Sequence, residues 1–313
     1  MRLLLSCIST KHSVLKDHWT ASSEQTACPL TVLGSFEKPK QDLGGLICFI
    51  EEDGTRQVVD LKLAAGIVDS ENGVLVTTFG SIHEVNAETG EVRQDVVSLP
   101  LFNALHSISR SRRGYLVAST GVDLLVEFNL AGEVLWTWWA TDHGFELTPT
   151  GERRELDKSA DQRIQKYGTL KQTTHVNSVA ELPDGRILAT LFHQGSVIVI
   201  DRESGEWQTI LEGLDHPHAV RVVDEQHFTV ADTVHGKGLL VSLKGEKASV
   251  ETVIDAQTDW LQDCRYDALH NCWVLVDGKN SRIVLRKGLN GEQMLAQHEL
   301  DPEWRLYEAH VLA

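Results

Sequence analysis

Cysteine is scarce in this sequence and follows no pairing pattern. There are five cysteines, an odd number, with no CxxC spacing among Cys7, Cys28, Cys48, Cys264 and Cys272. Such a set does not support a disulfide framework and favours free thiols in a reducing compartment. We therefore expect a cytoplasmic protein.

Basic side chains are also few: 29 Lys and Arg stand against 45 Asp and Glu, and the formal net charge is −16. This charge repels phosphate backbones and anionic lipid surfaces, which excludes nucleic acid and membranes as expected partners.

Long apolar runs are missing as well. The stretch Leu3–Leu5 falls short of the roughly 7–15 residues of an export signal, and no later run approaches the ~18 residues that span a bilayer.

Several catalytic signatures are absent. The chain has no Gly-rich phosphate loop, no G-x-S-x-G elbow and no H-E-x-x-H helix. Nucleotide binding, serine hydrolysis of the elbow type and helix-borne zinc hydrolysis therefore have no support in the sequence.

A repeat of short β-branched strands is what the sequence does contain. The clearest copies are HSISRSRRGYLVASTGVDLLVEFNLAGEVLWTW from His106 and NSVAELPDGRILATLFHQGSVIVIDRESGEWQTIL from Asn177. Further copies begin at His218, Asp263 and Gly66, and turn pairs such as Asp184-Gly185 separate the strands. Strand groups that recur every ~40–50 residues are typical of propeller blades.

A sixth blade is expected to form from both ends of the chain. The segment 2–9 and the phrases GGLICFIEE and RQVVDLKL supply three strands, and YEAHVLA supplies the innermost one. Closure of this kind removes open sheet edges. The prediction is a single all-β domain over 1–313, a six-bladed propeller with four-stranded antiparallel blades.

Two segments fall outside the repeat. Residues 12–41 form a long excursion near the start, and residues 140–174 separate the third and fourth blades. The second is charged and partly compatible with a helix from Glu152 onward. It is predicted to be an inserted loop, either a lid over the central pocket or a plain solvated connection.

Polar side chains recur where innermost strands are expected to begin, at the rim of the axis. They are His106, His175, Asn177, His218, Asp263, Glu308 and His310. Neutral imidazoles with carboxylates suit a divalent ion of the Zn, Fe or Mn class, so His106, His175, His218 and His310 are the predicted metal ligands.

The same groups could transfer protons without a metal, and His175, Asn177, Asp263 and Glu308 are the predicted catalytic residues. Water-bonded polar residues that only fill the channel mouth are the structural alternative. His218 is one residue out of step with Asn177 unless its strand contains a bulge.

The phrases THVNSVAELPDGRILATLFHQGSVIVID and FNALHSISRSRRGYLVASTGVDLLVEFNLAGEVLWTW resemble blades of arylsulfotransferase-like propellers. DHPHAVRVV with FTVADT resembles NHL-type and streptogramin-lyase repeats. The first resemblance implies a sulfo-accepting His175 or His106. The second implies a metal-assisted elimination with His218 as base, and propeller oxygenases that hold iron with histidines offer a third analogy. Each likeness lies at the level of the blade.

The leading hypothesis is an enzyme that acts on a small organic molecule in the axial pocket with a His-rich divalent metal site. Its reaction is left open between lyase, hydrolase, isomerase and oxygenase. A metal-free His acid/base enzyme is the next alternative. The third is a non-catalytic propeller that binds a protein or peptide on its top face.

Overall fold

The computed structural model describes residues 1–25 and 33–312. Its 24 strands form six sheets of four strands each, and every pair of neighbouring strands is antiparallel. Cys28 lies outside the described residues, and Cys7, Cys48, Cys264 and Cys272 are free and buried.

The blades follow one another along the chain. The first contains β1 (Arg2–Ser9), β2 (Leu46–Ile50) and β3 (Arg56–Asp60), and a helix, α1 (His12–Gln25), follows β1. The second contains β4 (Ile67–Asp69), β5 (Val74–Thr77), β6 (Ile82–Val85) and β7 (Val92–Val97). The third contains β8 (Leu105–Arg110), β9 (Tyr115–Ser119), β10 (Leu124–Phe128) and β11 (Val134–Trp139).

The other half of the ring has the same organisation. The fourth blade contains β12 (Val176–Glu181), β13 (Ile187–Leu191), β14 (Ser196–Ile200) and β15 (Trp207–Leu211). The fifth contains β16 (His218–Val222), β17 (His227–Asp232), β18 (Lys237–Lys244) and β19 (Lys247–Asp255). The sixth contains β20 (Leu261–Asp267), β21 (Cys272–Asp277), β22 (Arg282–Lys287) and β23 (Gln293–Glu299).

The last strand, β24 (Arg305–Leu312), completes the first blade as its innermost strand. It pairs antiparallel with β1, with His310 opposite Leu4 and Ala309 opposite Leu5. The predicted six-bladed propeller, its four-stranded blades and its closure by the C-terminal strand are therefore confirmed. The innermost strands around the axis are β24, β4, β8, β12, β16 and β20.

Apolar side chains pack between blades rather than in one central core. Six buried clusters can be distinguished among the described residues, and each combines strands of two neighbouring blades. In the fourth blade the second and third strands, β13 and β14, are mostly apolar and buried along their whole length, because both of their faces meet a neighbouring blade. The outermost strands, such as β3, are mostly exposed.

Residues 140–174 contain no α-helix, contrary to the helical tendency of the sequence after Glu152. They form three short 3₁₀ turns, Ala140–Asp142, Gln162–Ile164 and Thr169–Lys171, joined by irregular backbone. A fourth 3₁₀ turn, Thr120–Val122, follows β9. Among the described residues no helix is both long and apolar enough to cross a membrane.

Candidate functional site

A cavity of about 970 Å³ lies on the propeller axis, at the end where the innermost strands begin. Each blade contributes to its wall close to the start of its innermost strand. These residues, in blade order from the first to the sixth, are Tyr307, Ala65, His106, His175, His218 and Gln262. The wall is therefore rich in imidazole, and the second blade supplies only a small side chain.

Two excursions from the blades cover this cavity. α1 contributes Leu15 and Trp19, the chain after it contributes Lys38, and the insertion between the third and fourth blades contributes Lys166 and Thr169.

The two excursions are in close backbone contact with each other. The Leu170 N–H donates to the Ser35 carbonyl oxygen at 3.0 Å. At Gly168 an added Cβ would lie 2.2 Å from that same oxygen and 2.3 Å from the Phe36 carbonyl carbon. Only glycine permits this approach, so Gly168 allows the two parts of the cover to pack against each other. We call this contact the seam at Gly168.

His106 and His218 both line the cavity and are hydrogen bonded through the same ring nitrogen, Nδ1. Nδ1 of His106 lies 2.7 Å from the Ala104 carbonyl oxygen, and Nδ1 of His218 lies 3.0 Å from the His216 carbonyl oxygen. A carbonyl oxygen only accepts, so these contacts require the proton on Nδ1 in both rings, and the Thr233 hydroxyl oxygen, 2.8 Å from Nδ1 of His218, then accepts from the same N–H. Nε2 is left as a lone-pair acceptor with no partner among the described residues.

His175 is held in place by hydrogen bonds of both its backbone and its ring. Its backbone is left-handed, with φ of 48°, and its N–H donates to Oδ1 of Asp123 at 2.7 Å. Its Nδ1 is hydrogen bonded to Oε1 of Gln172. The third imidazole therefore also carries its proton on Nδ1 and leaves Nε2 free.

Asp123 is the anchor of this support. Its buried carboxylate accepts the backbone N–H groups of Thr173 and Thr174 at 2.7 and 3.0 Å and pairs with the buried Arg154 of the insertion. Burial raises the pKa of Asp123, but Arg154 and the N–H donors outweigh that effect and hold it below its usual value. The anchor therefore stays ionised.

Burial keeps all three imidazoles neutral at neutral pH. It lowers the pKa of His106 to about 3, with a contribution from the charge of Lys38, and it lowers the pKa of His218 to about 3, with a contribution from His106. Burial and the neighbouring His106 and His193 also place the pKa of His175 well below its usual value. At neutral pH, Nε2 of all three rings is therefore unprotonated.

The His106 ring packs against two other rings of the cavity wall. Its ring centroid lies 5.0 Å from that of His175 and 5.5 Å from that of Tyr307, in both cases edge to face. Tyr307 reaches across the second blade, where Ala65 leaves room. Burial and the nearby carboxyl of Glu308 raise the pKa of Tyr307 well above its usual value, so its phenol is a neutral proton donor.

The other predicted site residues lie outside the cavity wall. Asn177 is buried, and its Oδ1 accepts the Thr190 hydroxyl at 2.6 Å. Asp263, Glu308 and His310 are themselves buried and belong to a network of charged side chains between β16, β20, β24 and β4. The axial charge network, as we term it, consists of Asp69, Arg221, Asp263, Arg265, Glu308 and His310.

This network is internally paired. Arg221 Nη2 contacts Asp263 Oδ1 at 2.8 Å and Glu308 Oε1 at 3.0 Å. His310 receives a hydrogen bond from Arg265 at 2.9 Å and contacts Asp69 at 2.8 Å, so both of its ring nitrogens are engaged. Burial raises the pKa of Glu308 to about 7; Arg221 lowers it and Asp263 raises it further.

The structure thus brings together three of the four predicted metal ligands and separates His310 from them. A register shift between His218 and Arg221 supplies the bulge that the sequence alignment required. Among the described residues, no group of three or more His, Cys, Asp or Glu side chains is arranged to hold a metal ion.

Several residues of the site were not found from the sequence. Asp123 and Gln172 support His175, while Lys38, Arg305 and Tyr307 line the cavity. Tyr307 opens the phrase YEAHVLA and could have been found by treating that strand like the other innermost ones. Lys38 lies in an excursion with no repeat to align, so the sequence carries no signal for it.

Comparison with known proteins gives the fold. No family model matches the chain, and no curated protein matches it. A protein of unknown function from Bacteroides caccae superposes with a TM-score of 0.59 at 12% identity, over 84% of this chain and 93% of that one. Virginiamycin B lyase from Staphylococcus aureus gives 0.51 at 10% identity, over 96% and 89%.

A putative 6-phosphogluconolactonase from Bacteroides uniformis gives a TM-score of 0.53 at 13% identity, over 96% of this chain and 83% of that one. The likeness to streptogramin-lyase-type propellers that the sequence indicated is confirmed for the fold. Identities this low establish the architecture and leave the chemistry to be argued from the site.

Proposed function

We propose that this protein is an enzyme that transfers protons to and from a small organic molecule bound in the axial cavity. The observation that carries the proposal is the common state of His106, His175 and His218. Each is neutral, each has its Nδ1–H directed at a carbonyl oxygen, and each lines the same cavity of about 970 Å³; His175 and His218 are buried and His106 is partly buried. A cavity of this size accommodates a small organic molecule.

His106 is the base that the geometry favours. It contacts both a second imidazole and the Tyr307 ring. Nε2 of His106 would accept a proton from an acidic C–H group or from water, and the Tyr307 hydroxyl would donate one to the developing oxyanion or leaving group. The Nδ1–H···O=C bond would hold the imidazole in place and stabilise the imidazolium as it forms.

Two of the structural neighbours bear names that fit proton-transfer chemistry. One is named as a lyase and one as a putative lactonase. Elimination requires removal of a C–H proton, and lactone hydrolysis requires activation of water. A positioned neutral imidazole serves either reaction, so we propose a lyase or a hydrolase that works without covalent catalysis.

The test is incubation of the purified protein in D₂O with small molecules that contain lactone, ester or acidic C–H groups, followed by mass spectrometry. We expect product formation or deuterium exchange, reduced by roughly 10²- to 10⁴-fold in His106→Gln. His227→Gln is the matched control, because His227 is partly exposed, pairs with Asp224 and lies outside the cavity. Equal exchange and turnover by His106→Gln and the parent would refute the proposal.

Divalent metal binding by His106, His175 and His218 is a second candidate. Metal-ligating histidines usually donate their other ring N–H to a carbonyl or carboxylate, and all three do so here. As arranged, no three described donors converge on one point, so the rings would have to approach one another. A bound ion would polarise a substrate oxygen.

Elemental analysis after reconstitution with Zn²⁺, Mn²⁺ or Fe²⁺ tests this candidate. Near-stoichiometric metal in the parent, and its loss from a His106→Gln, His218→Gln double variant, is the expected result. Equal metal content in both proteins, or none in either, would contradict it. Cytoplasmic location and the absence of nucleic-acid partners stay predictions from composition.

A further inference from the structure

Arg305 is a buried cation at the cavity wall without a carboxylate partner. The residue is 4% exposed, and its guanidinium carbon lies 5.0 Å from the ring centroid of Trp260 and 5.5 Å from that of Trp19. Nη1 donates to the Gly278 carbonyl oxygen, and no ion pair to Arg305 is formed within the described residues. Burial lowers the pKa of Arg305 to about 10, so it is still charged at neutral pH.

A second cation reaches the cavity from its cover. Lys38 is partly buried, lines the cavity, and lies close enough to His106 and His175 for its charge to lower the pKa of both. In the part of the chain that the structure describes, it has no carboxylate partner. Burial lowers the pKa of the Lys38 amine to about 8.

The charge balance of the cavity is opposite to that of the whole chain. Seven basic side chains line it and only two acidic ones, although the chain has a formal net charge of −16. Both acidic groups are already paired, Asp42 with Lys62 and Asp259 with Lys279. The excess positive charge therefore falls on Lys38, Arg305 and the lysines of the rim.

The wall beside Arg305 is apolar and aromatic. Trp260 contacts it directly, and the Phe192 ring lies between the His175 and His218 rings, at 4.7 and 5.5 Å. Leu15 and Leu33 line the cavity from the cover. A ligand that fits this surface needs an apolar body as well as a charged group.

A buried guanidinium that is left unpaired destabilises a fold, because stacking on indoles only partly replaces its lost hydration. A purely structural arginine in such a place is normally paired with a carboxylate. We propose that the cavity binds a small organic carboxylate, whose charged group lies at Arg305 and whose apolar body lies against Phe192 and Trp260, with Lys38 adding positive charge to the same cavity. The planar fork of Arg305 matches a carboxylate.

This inference rests on the proposed function in one respect, that the bound anion is the substrate. Binding itself can be measured without turnover. The probes are matched pairs of an acid and its amide, 3-phenylpropionate with 3-phenylpropionamide and indole-3-acetate with indole-3-acetamide, with phenyl phosphate as a second anion. Isothermal titration calorimetry on the 313-residue protein gives their affinities.

We expect at least one acid to bind roughly 10- to 100-fold more tightly than its amide, the range that a charged hydrogen bond contributes. Arg305→Gln and Lys38→Gln should each reduce this preference. The matched control is Lys237→Gln, an exposed lysine outside the cavity. Lys38 lies on the cover rather than in a strand, so its variant remains informative if Arg305→Gln does not fold.

Three results would overturn the inference. The first is equal affinity for acid and amide in every pair. The second is a preference for the acid that is unchanged in both Arg305→Gln and Lys38→Gln. The third is tighter binding of phenyl phosphate than of either acid, which would assign the site to phosphate esters. Carboxylate binding that persists in a protein without any turnover would refute the proposed enzyme and leave this inference standing. Turnover of neutral molecules without any binding of carboxylates would support the proposed enzyme and refute this inference.

Discussion

At the residue scale, the histidines of the cavity wall differ from those at the surface in the partner of Nδ1. His227 and His270 face aspartate oxygens, whereas His106 and His218 face backbone carbonyl oxygens. The carbonyl partner fixes the tautomer of the two cavity rings, and burial, which lowers the pKa of both, keeps them neutral. The environment, more than the residue type, therefore distinguishes the cavity histidines, which we propose as bases, from the surface histidines.

The lowered pKa of His218 makes stability depend on pH. The folded value is about 3, against an ordinary value of 6.5, so the unfolded state binds more protons between these limits. The contribution of neutral His218 to the free energy of unfolding is fully present above pH ~6.5 and is lost as the pH falls towards 3. The free energy of unfolding then changes by at most about 1.4 kcal/mol per pH unit. Urea unfolding of His218→Gln between pH 4.5 and 7 should show a weaker dependence than the parent, and identical slopes would contradict the assignment.

Glu308 has the opposite dependence. Its folded pKa of about 7 lies above the ordinary 4.5, so the folded state binds more protons between these values and stability falls as the pH rises through that window. We expect Glu308→Gln, relative to the parent, to gain stability between pH 5.5 and 8. The same measurement on Glu299→Gln, an exposed glutamate of β23, should show no such gain.

Repetition explains which site residues could be predicted from the sequence. His106 and His218 stand at matching places in repeated phrases, so the fold brings them together whatever separates them along the chain. The sequence predicts an equivalent place for His310 because the last repeat is recognisable only over YEAHVLA. β24 begins at Arg305, which places Arg305 and Tyr307 at the cavity and His310 farther along the strand, against Asp69.

At the scale of elements, the turn before β12 depends on one carboxylate from the neighbouring blade. Asp123 follows the 3₁₀ turn after β9 and accepts three successive N–H groups, those of Thr173, Thr174 and His175. Such a contact has no local pattern in the sequence, since its partners are 50 or more residues apart. This is why Asp123 could not be predicted.

Asp123→Ala should weaken both the fold and the site. Loss of one partner from a buried ion pair leaves Arg154 uncompensated, at a cost of roughly 3–5 kcal/mol in the free energy of unfolding. Asp161→Ala is the matched control, because its pair with Arg163 in the same insertion is partly exposed and should cost no more than about 1 kcal/mol. Urea denaturation measures both. Equal losses would show that Asp123 is not an anchor.

At the scale of the whole molecule, closure by β24 does two things. It removes the open edge of β1, and it brings Arg305 and Tyr307 to the cavity. The six-fold pattern of short strands made this closure predictable, because five complete blades and a sixth without its inner strand leave only one place for the last strand.

Deletion of residues 305–312 should therefore expose an apolar strand edge. The buried side chains of Leu3 and Leu5 pack in a cluster that includes Leu306 and Ala309, and an unpaired edge of this type promotes association. Sedimentation velocity should detect large oligomers or aggregate in place of the parent species. A sedimentation coefficient distribution that matches the parent would argue against the role of β24.

The seam at Gly168 has a consequence for the timing of ligand exchange. Gly168→Ala would force residues 33–43 and the insertion apart at Ser35 and Phe36, which would loosen the cover over a carboxylate bound in the cavity. Stopped-flow fluorescence of Trp19 and Trp260 should then show association and dissociation accelerated together, with little change in their ratio. The glycine would thus set the residence time of the ligand, while Arg305 and Lys38 set its affinity.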